Sequence, residues 1–245
     1  MQKIIGKMAR MYPLMIVMGV MIVAIAFIVG YISSQTAAAY FAESKLVRET
    51  TLMAQRASIQ SVGLWLPYLK FFGLGLILGG IVMALRVILD SLKDASVIVL
   101  SNLPEGKRPD MPKPPWYGLL MPFVMMLGVL IFTYALVVSL GLAGTARSVF
   151  ANPLPTIDAA GAGSALLAQV QTIHSVSAWL VPFKFFGMAT MFLSIVMGLA
   201  TIVFTLNAQT ELIQKGIRIA RGVEVVDDHE HVENVASIEA ETAAA

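Results

Sequence analysis

Four long apolar stretches, at residues 12–33, 64–89, 116–142 and 178–206, decide most of what this chain can become. Each matches or exceeds the roughly 20 helical residues needed to cross a hydrocarbon core about 30 Å thick. Lipid offers no partner for a bare amide, so a spanning segment must be a helix or part of a closed barrel. The runs are continuous rather than alternating in hydropathy, which selects helices. The sequence therefore predicts an all-α integral membrane protein with four transmembrane helices.

Composition agrees. Hydrophobic residues make up 58% and charged residues 13%, with a mean hydropathy of +0.79, against roughly 45–50% and 25% in soluble domains. The first run follows the basic segment MQKIIGKMAR but exceeds the 7–15-residue apolar centre of a secretory leader, so it is expected to be retained. Cysteine is absent, which removes disulfide frameworks, thiolate metal sites and redox thiols.

Positive charge stays on the cytoplasmic side of a membrane, so the placement of Lys and Arg predicts orientation. Lys3, Lys7 and Arg10 precede the first run. Arg86, Lys93, Lys107, Arg108 and Lys113 fall in the middle connection, and Lys215, Arg218 and Arg221 follow the last run. The other two connections hold only Lys45, Arg48, Arg56 and Arg147. Both termini and the middle connection are thus expected inside, with 34–63 and 143–177 outside. The expected location is a plasma membrane of the prokaryotic kind.

The chain also repeats itself. SVGLWLPYLKFFG at 61–73 and SVSAWLVPFKFFG at 175–187 share S-V-x-x-W-L and K-F-F-G at a spacing of 114 residues. Upstream of each lies a further apolar run beginning near a tyrosine, Tyr12 and Tyr117, 105 residues apart. This pattern predicts two tandem two-helix repeats. Because each has an even number of spans, both enter the membrane in the same sense.

The first repeat covers 1–100, with spans at 12–33 and 64–89 and the outer segment 34–63. Residues 101–115 form a proline-rich cytoplasmic connection, 116–222 the second repeat with spans at 116–142 and 178–206, and 223–245 an acidic tail expected to be disordered. The first outer segment has no Gly or Pro between Thr36 and Val62 and carries a Lys45/Glu49 pair at i,i+4 spacing. It is expected to extend its flanking helices as a helical hairpin in water. The second, ARSVFANPLPTIDAAGAGS, holds two prolines and two glycines and predicts an irregular loop before a helix resumes near Ala165.

Chemistry has few places to reside. Lys70 and Lys184 lie inside apolar runs beside Trp65 and Trp179. They can serve as interfacial anchors reaching a lipid phosphate, face each other around an anionic ligand, or face another subunit. No carboxylate falls within a span, which argues against a proton- or sodium-coupled carrier. Met8, Met11, Met15 and Met18 share a helical face, a pattern that fits a flexible packing seam better than a copper site. His174 stands alone, and His229 and His231 lie in the tail. No phosphate-binding glycine loop, HExxH or GxSxG motif occurs, and the basic residues do not interleave with aromatics as on a nucleic-acid surface.

These features point to a non-catalytic integral-membrane subunit with no cofactor and no nucleic-acid partner. It would assemble or anchor a larger membrane complex, or a homo-oligomer, and contact membrane lipids through Lys70, Lys184, Trp65 and Trp179. Lys45, Arg48, Glu49 and Arg56 on the outer hairpin are the expected partner-binding residues. The alternatives are a small oligomeric channel or carrier for an anionic solute, or an enzyme subunit contributing to a quinone, lipid or copper pocket.

Overall fold

The computed structural model describes residues 11–101, 113 and 115–220. The N-terminal basic segment with Met8, most of the proline-rich connection, and the acidic tail with His229 and His231 lie outside the described residues. Six helices follow one another: α1 (Tyr12–Ala42), α2 (Lys45–Thr50), α3 (Met53–Ser101), α4 (Trp116–Phe150), α5 (Leu154–Asp158) and α6 (Ala165–Ala220). There is no strand among the described residues. Four helices, α1, α3, α4 and α6, are long and apolar enough to cross a membrane, which makes the chain a multi-pass integral membrane protein.

Local chemistry explains where the helices stop. The first outer segment does extend its flanking helices, but its tip breaks twice and encloses the short α2. Ser44 caps α2, its Oγ accepting from the Val47 amide at 3.4 Å. In the second outer segment, Asn152 donates from Nδ2 to the Ser148 and Val149 carbonyls at 3.0 and 3.1 Å, closing the end of α4. Gly163 then takes φ +82°, a turn conformation open to glycine. Ser164 follows and accepts from the Leu167 amide at 3.3 Å, so α6 begins at Ala165 as its sequence predicts.

The chain divides into two compact units, Met1–Val87 with Trp116–Ala200 and Ile88–Pro115 with Thr201–Ala245. In the second, Gln209 Nε2 donates to the Leu92 carbonyl and to Ser96 Oγ, both at 2.6 Å, joining α6 to α3 there.

The first unit is a helix bundle whose contacts come in corresponding sets. Gly19 of α1 lies against Gly73 and Ile77 of α3, and Gly73 against Ile22 and Val23. Gly128 of α4 lies against Met191 of α6, and Gly187 against Ile131 and Phe132. Further along, Gly80 approaches the Tyr12 carbonyl, while Ser194 Oγ donates to the Met121 carbonyl at 2.8 Å. Gly19 with Gly73 apart, these contacts match at spacings of 109 residues between α1 and α4 and 114 between α3 and α6. Tyr12 and Tyr117 themselves stand 105 residues apart. At 109, Pro13 meets Pro122, Gly19-Val20 meets Gly128-Val129, and Ala26 meets Ala135; at 114, IVMAL at 81–85 meets IVMGL at 195–199.

Between α3, α4 and α6 the interior is filled by Val82, Met83, Met121, Met125, Phe132 and Met191, all buried. Methionine is thus used for packing, but not along the face the sequence suggests. Met15 joins this cluster, whereas Met11 and Met18 are exposed.

In lipid, helix association rests on close van der Waals contact rather than on exclusion of water. A Cβ on Gly19 would fall 2.7 Å from the Gly73 carbonyl oxygen, which cannot yield, whereas one on Gly141 would meet nothing within 4 Å. Gly19→Ala is therefore expected to destabilise the bundle by about 1–3 kcal/mol, and Gly141→Ala to leave it unchanged or raise it by up to about 1 kcal/mol. Reversible unfolding in mixed micelles checks both; equal effects would contradict the seam.

Candidate functional site

Lys70 and Lys184 occupy the same place in two K-F-F-G segments, yet their surroundings differ. Lys184, on α6, is half-buried, and its ammonium lies over three rings: Phe71 at 4.9 Å, Phe185 at 5.3 Å and Tyr68 at 5.4 Å from the centroids. Such contacts are worth about 0.5–2 kcal/mol, the upper end when water is excluded. Lys70, on α3, is exposed, and its Nζ comes within 3.7 Å of where a Cβ on Gly30 of α1 would sit. Each ammonium thus faces a different neighbour.

The tryptophans differ in the same way. Trp179 is 41% exposed and stacks in a cluster with Phe183 and Tyr134, at 5.6 and 6.4 Å. Trp65 is half-buried.

On the outer hairpin, Lys45 and Glu49 make the expected i,i+4 ion pair at 3.7 Å, with the lysine side chain 81% exposed. An exposed pair of this kind contributes at most about 0.5 kcal/mol. The two arginines turn inward. Arg48 lies over Phe41 and Tyr40 at 5.5 and 5.7 Å, and Arg56 over Phe150 at 5.2 Å. Arg48 Nε and Arg56 Nη1 are buried without a hydrogen-bond partner. A guanidinium N–H left in that condition is costly.

Beside this hairpin a cleft of about 230 Å³ opens between residues 29–36 of α1 and 58–62 of α3. Its walls are Val29, Ile32, Ile59 and Val62, interrupted by the hydroxyls of Ser33, Thr36 and Ser58. Thr36 Oγ1 is already committed to the Ile32 carbonyl at 3.0 Å. No motif marks this cleft in the sequence, because it arises from a gap between two helices.

Among the described residues no three His, Asp or Glu side chains come together as a metal site would require. His174 is exposed near the start of α6. No protein-family model matches the chain, and no curated protein or solved structure shows significant similarity to it.

The contrast between the lysines is directly measurable. Acylation with an amine reagent in mild detergent, read by peptide mass mapping, should modify Lys70 before Lys184. Phe71→Ala should accelerate modification of Lys184 severalfold and leave Lys70 unchanged. Equal rates in the native protein would contradict the aromatic enclosure.

Proposed function

We propose that this protein is a non-catalytic membrane subunit, made of two tandem helical hairpins inserted in the same sense, that anchors a companion membrane protein and contacts lipid at its interface, chiefly through the exposed Lys70 and not the ring-enclosed Lys184. The exposure of α1 carries this reading. Only 11% of its most apolar stretch is buried, against 39, 33 and 28% for the corresponding stretches of α3, α4 and α6. One narrow stripe of α1, through Gly19 and Ala26, meets α3, and Leu14, Met21, Ile25 and Ile28 remain on the outside. A companion helix would cover this face.

The duplication is supported by the corresponding contacts at 109 and 114 residues, which give both hairpins one scheme of close approach. The orientation is supported by the distribution of Lys and Arg, which favours both termini and the connection around Lys113 on the cytoplasmic side. A carrier is disfavoured by the dense interior: Phe132, Met121 and Met191 fill the space between α3, α4 and α6 where a solute would pass.

Extraction of native membranes in mild detergent should yield the protein with a stoichiometric companion. Ile25→Trp, which overcrowds the open face of α1, should release most of it, and Leu130→Trp on the exposed side of α4 should not. A protein that migrates alone, or equal loss in both variants, would overturn the reading. Independently, an impermeant amine reagent applied to intact cells should reach Lys45 and spare Lys113; the reverse pattern would invert the orientation.

A further inference from the structure

The two hairpins diverge most at a single place, and that divergence has a chemical sense. In the α4–α6 hairpin, Leu142 packs with Ile173 and Val176 inside a closed apolar cluster with Ala146 and Val149. The counterparts of Leu142, Ile173 and Val176 in the α1–α3 hairpin are Ser33, Ile59 and Val62, which line the open cleft. One leucine replaced by one serine accounts for much of the space, because the same walls then lack the side chain that would fill them.

The cation beneath it diverges with it. The counterpart of Gly30 in α4 is Ser139, buried and donating to the Leu136 carbonyl at 2.8 Å, and the lysine of that hairpin is withdrawn onto Tyr68, Phe71 and Phe185. In the α1–α3 hairpin, Gly30 leaves room, and the Lys70 ammonium sits exposed at its level, about one helical turn from Ser33. A helical side chain leans toward its own N-terminus, so the lysine stem points to the end of the bundle where the cleft lies.

We infer that the α1–α3 cleft binds the headgroup of an anionic glycerophospholipid, with Lys70 against the phosphate and the hydroxyls of Ser33 and Ser58 toward the polar headgroup. The acyl chains run along the exposed apolar flank of α1 past Phe27 and Val20. The cleft, at about 230 Å³, is smaller than the roughly 300–1,000 Å³ of sites that enclose a whole small molecule. It suits a headgroup whose tails stay in the bilayer. Charge complementarity selects the anion: Lys70 lies in an apolar run with no ring over it of the kind that holds Lys184, so its ammonium is stabilised there by phosphate, carboxylate or water. The phosphate is the group a bilayer supplies at that depth. This deepens the lipid contact proposed above and rests on the bundle lying in a bilayer, not on the existence of a companion.

Native mass spectrometry of the full chain in detergent, titrated with phosphatidylglycerol or phosphatidylcholine, tests it. One phosphatidylglycerol per chain should bind in preference to phosphatidylcholine. Lys70→Met should weaken that binding about tenfold, as loss of one charge-assisted contact implies. Lys184→Met should change it less than twofold. Ser33→Leu, which imports the residue that closes the other hairpin, should also abolish the preference. Should that variant fail to fold, Ser58→Leu fills the cleft from the opposite wall.

Equal effects of the two lysine variants, or unchanged binding in Lys70→Met, would overturn the site. Competition by millimolar inorganic phosphate would assign it to a free anion instead of a lipid, and a retained polypeptide displaced by Lys70→Met would assign it to a protein. Loss of lipid binding with the companion still attached separates this inference from the anchoring function.

Discussion

In water, burying an apolar helix face is favourable by itself; in a bilayer the lipid tails are as apolar as the side chains, and that driving force vanishes. What remains is close contact, and here it depends on residues with little or no side chain. Gly19 against Gly73, Gly128 against Met191 and Gly187 against Ile131 bring the helices near enough for many small dispersion terms to accumulate. The same approach lets Ser194 reach the Met121 carbonyl across helices, where the corresponding Gly80 meets the Tyr12 carbonyl by contact alone. Methionine then occupies the irregular spaces the glycines leave, since its unbranched thioether adapts to them. The fold is in this sense organised from the small residues outward.

Much of this was legible from the sequence, because lipid restricts the choices. Continuous apolar length specified four helices, the GAGS turn specified the start of α6 at Ala165, and i,i+4 spacing specified the Lys45/Glu49 pair. The spacing between the first helices differs with the marker chosen, for a physical reason. Tyr12 and Tyr117 sit at helix beginnings, where the water boundary places aromatics, whereas Pro13 and Pro122 move with the packing seam. Boundary residues slide relative to a seam, so they are poor markers of register. The methionine pattern shows the same limit: Met11, Met15 and Met18 share an angular face, but Met15 joins the interior cluster while Met11 and Met18 are exposed. Periodicity shows which residues share a side of a helix, not what stands opposite.

The lysines show the limit of local sequence most sharply. Lys70 and Lys184 are each followed by Phe-Phe-Gly, and no property of those four residues separates them. Their environments are set by partners elsewhere in the chain: Gly30 for one, and the rings of Tyr68 and Phe71 for the other. The orphan donors of Arg48 and Arg56 were equally out of reach, since a basic residue in an outer segment reads as solvated until an aromatic is found above it.

The α1–α3 and α4–α6 hairpins have unlike surroundings, and this follows from geometry rather than from any special residue. α3 receives neighbours on two sides, α1 through Gly73 and Gly80, and α4 through Gly75 and Gly79, which lie against Phe132 and Met125. Its counterpart α6 has no second α4 to receive: Ala189 and Leu193, at the places of Gly75 and Gly79, are exposed. By the same logic α1 lacks a neighbour on the side where α4 meets α3. Positions that keep their neighbours are held by contact and retain small residues at the seam. Positions that lost them are free to take another role, and the open cleft beside Lys70 lies on the helix with the most uncovered surface.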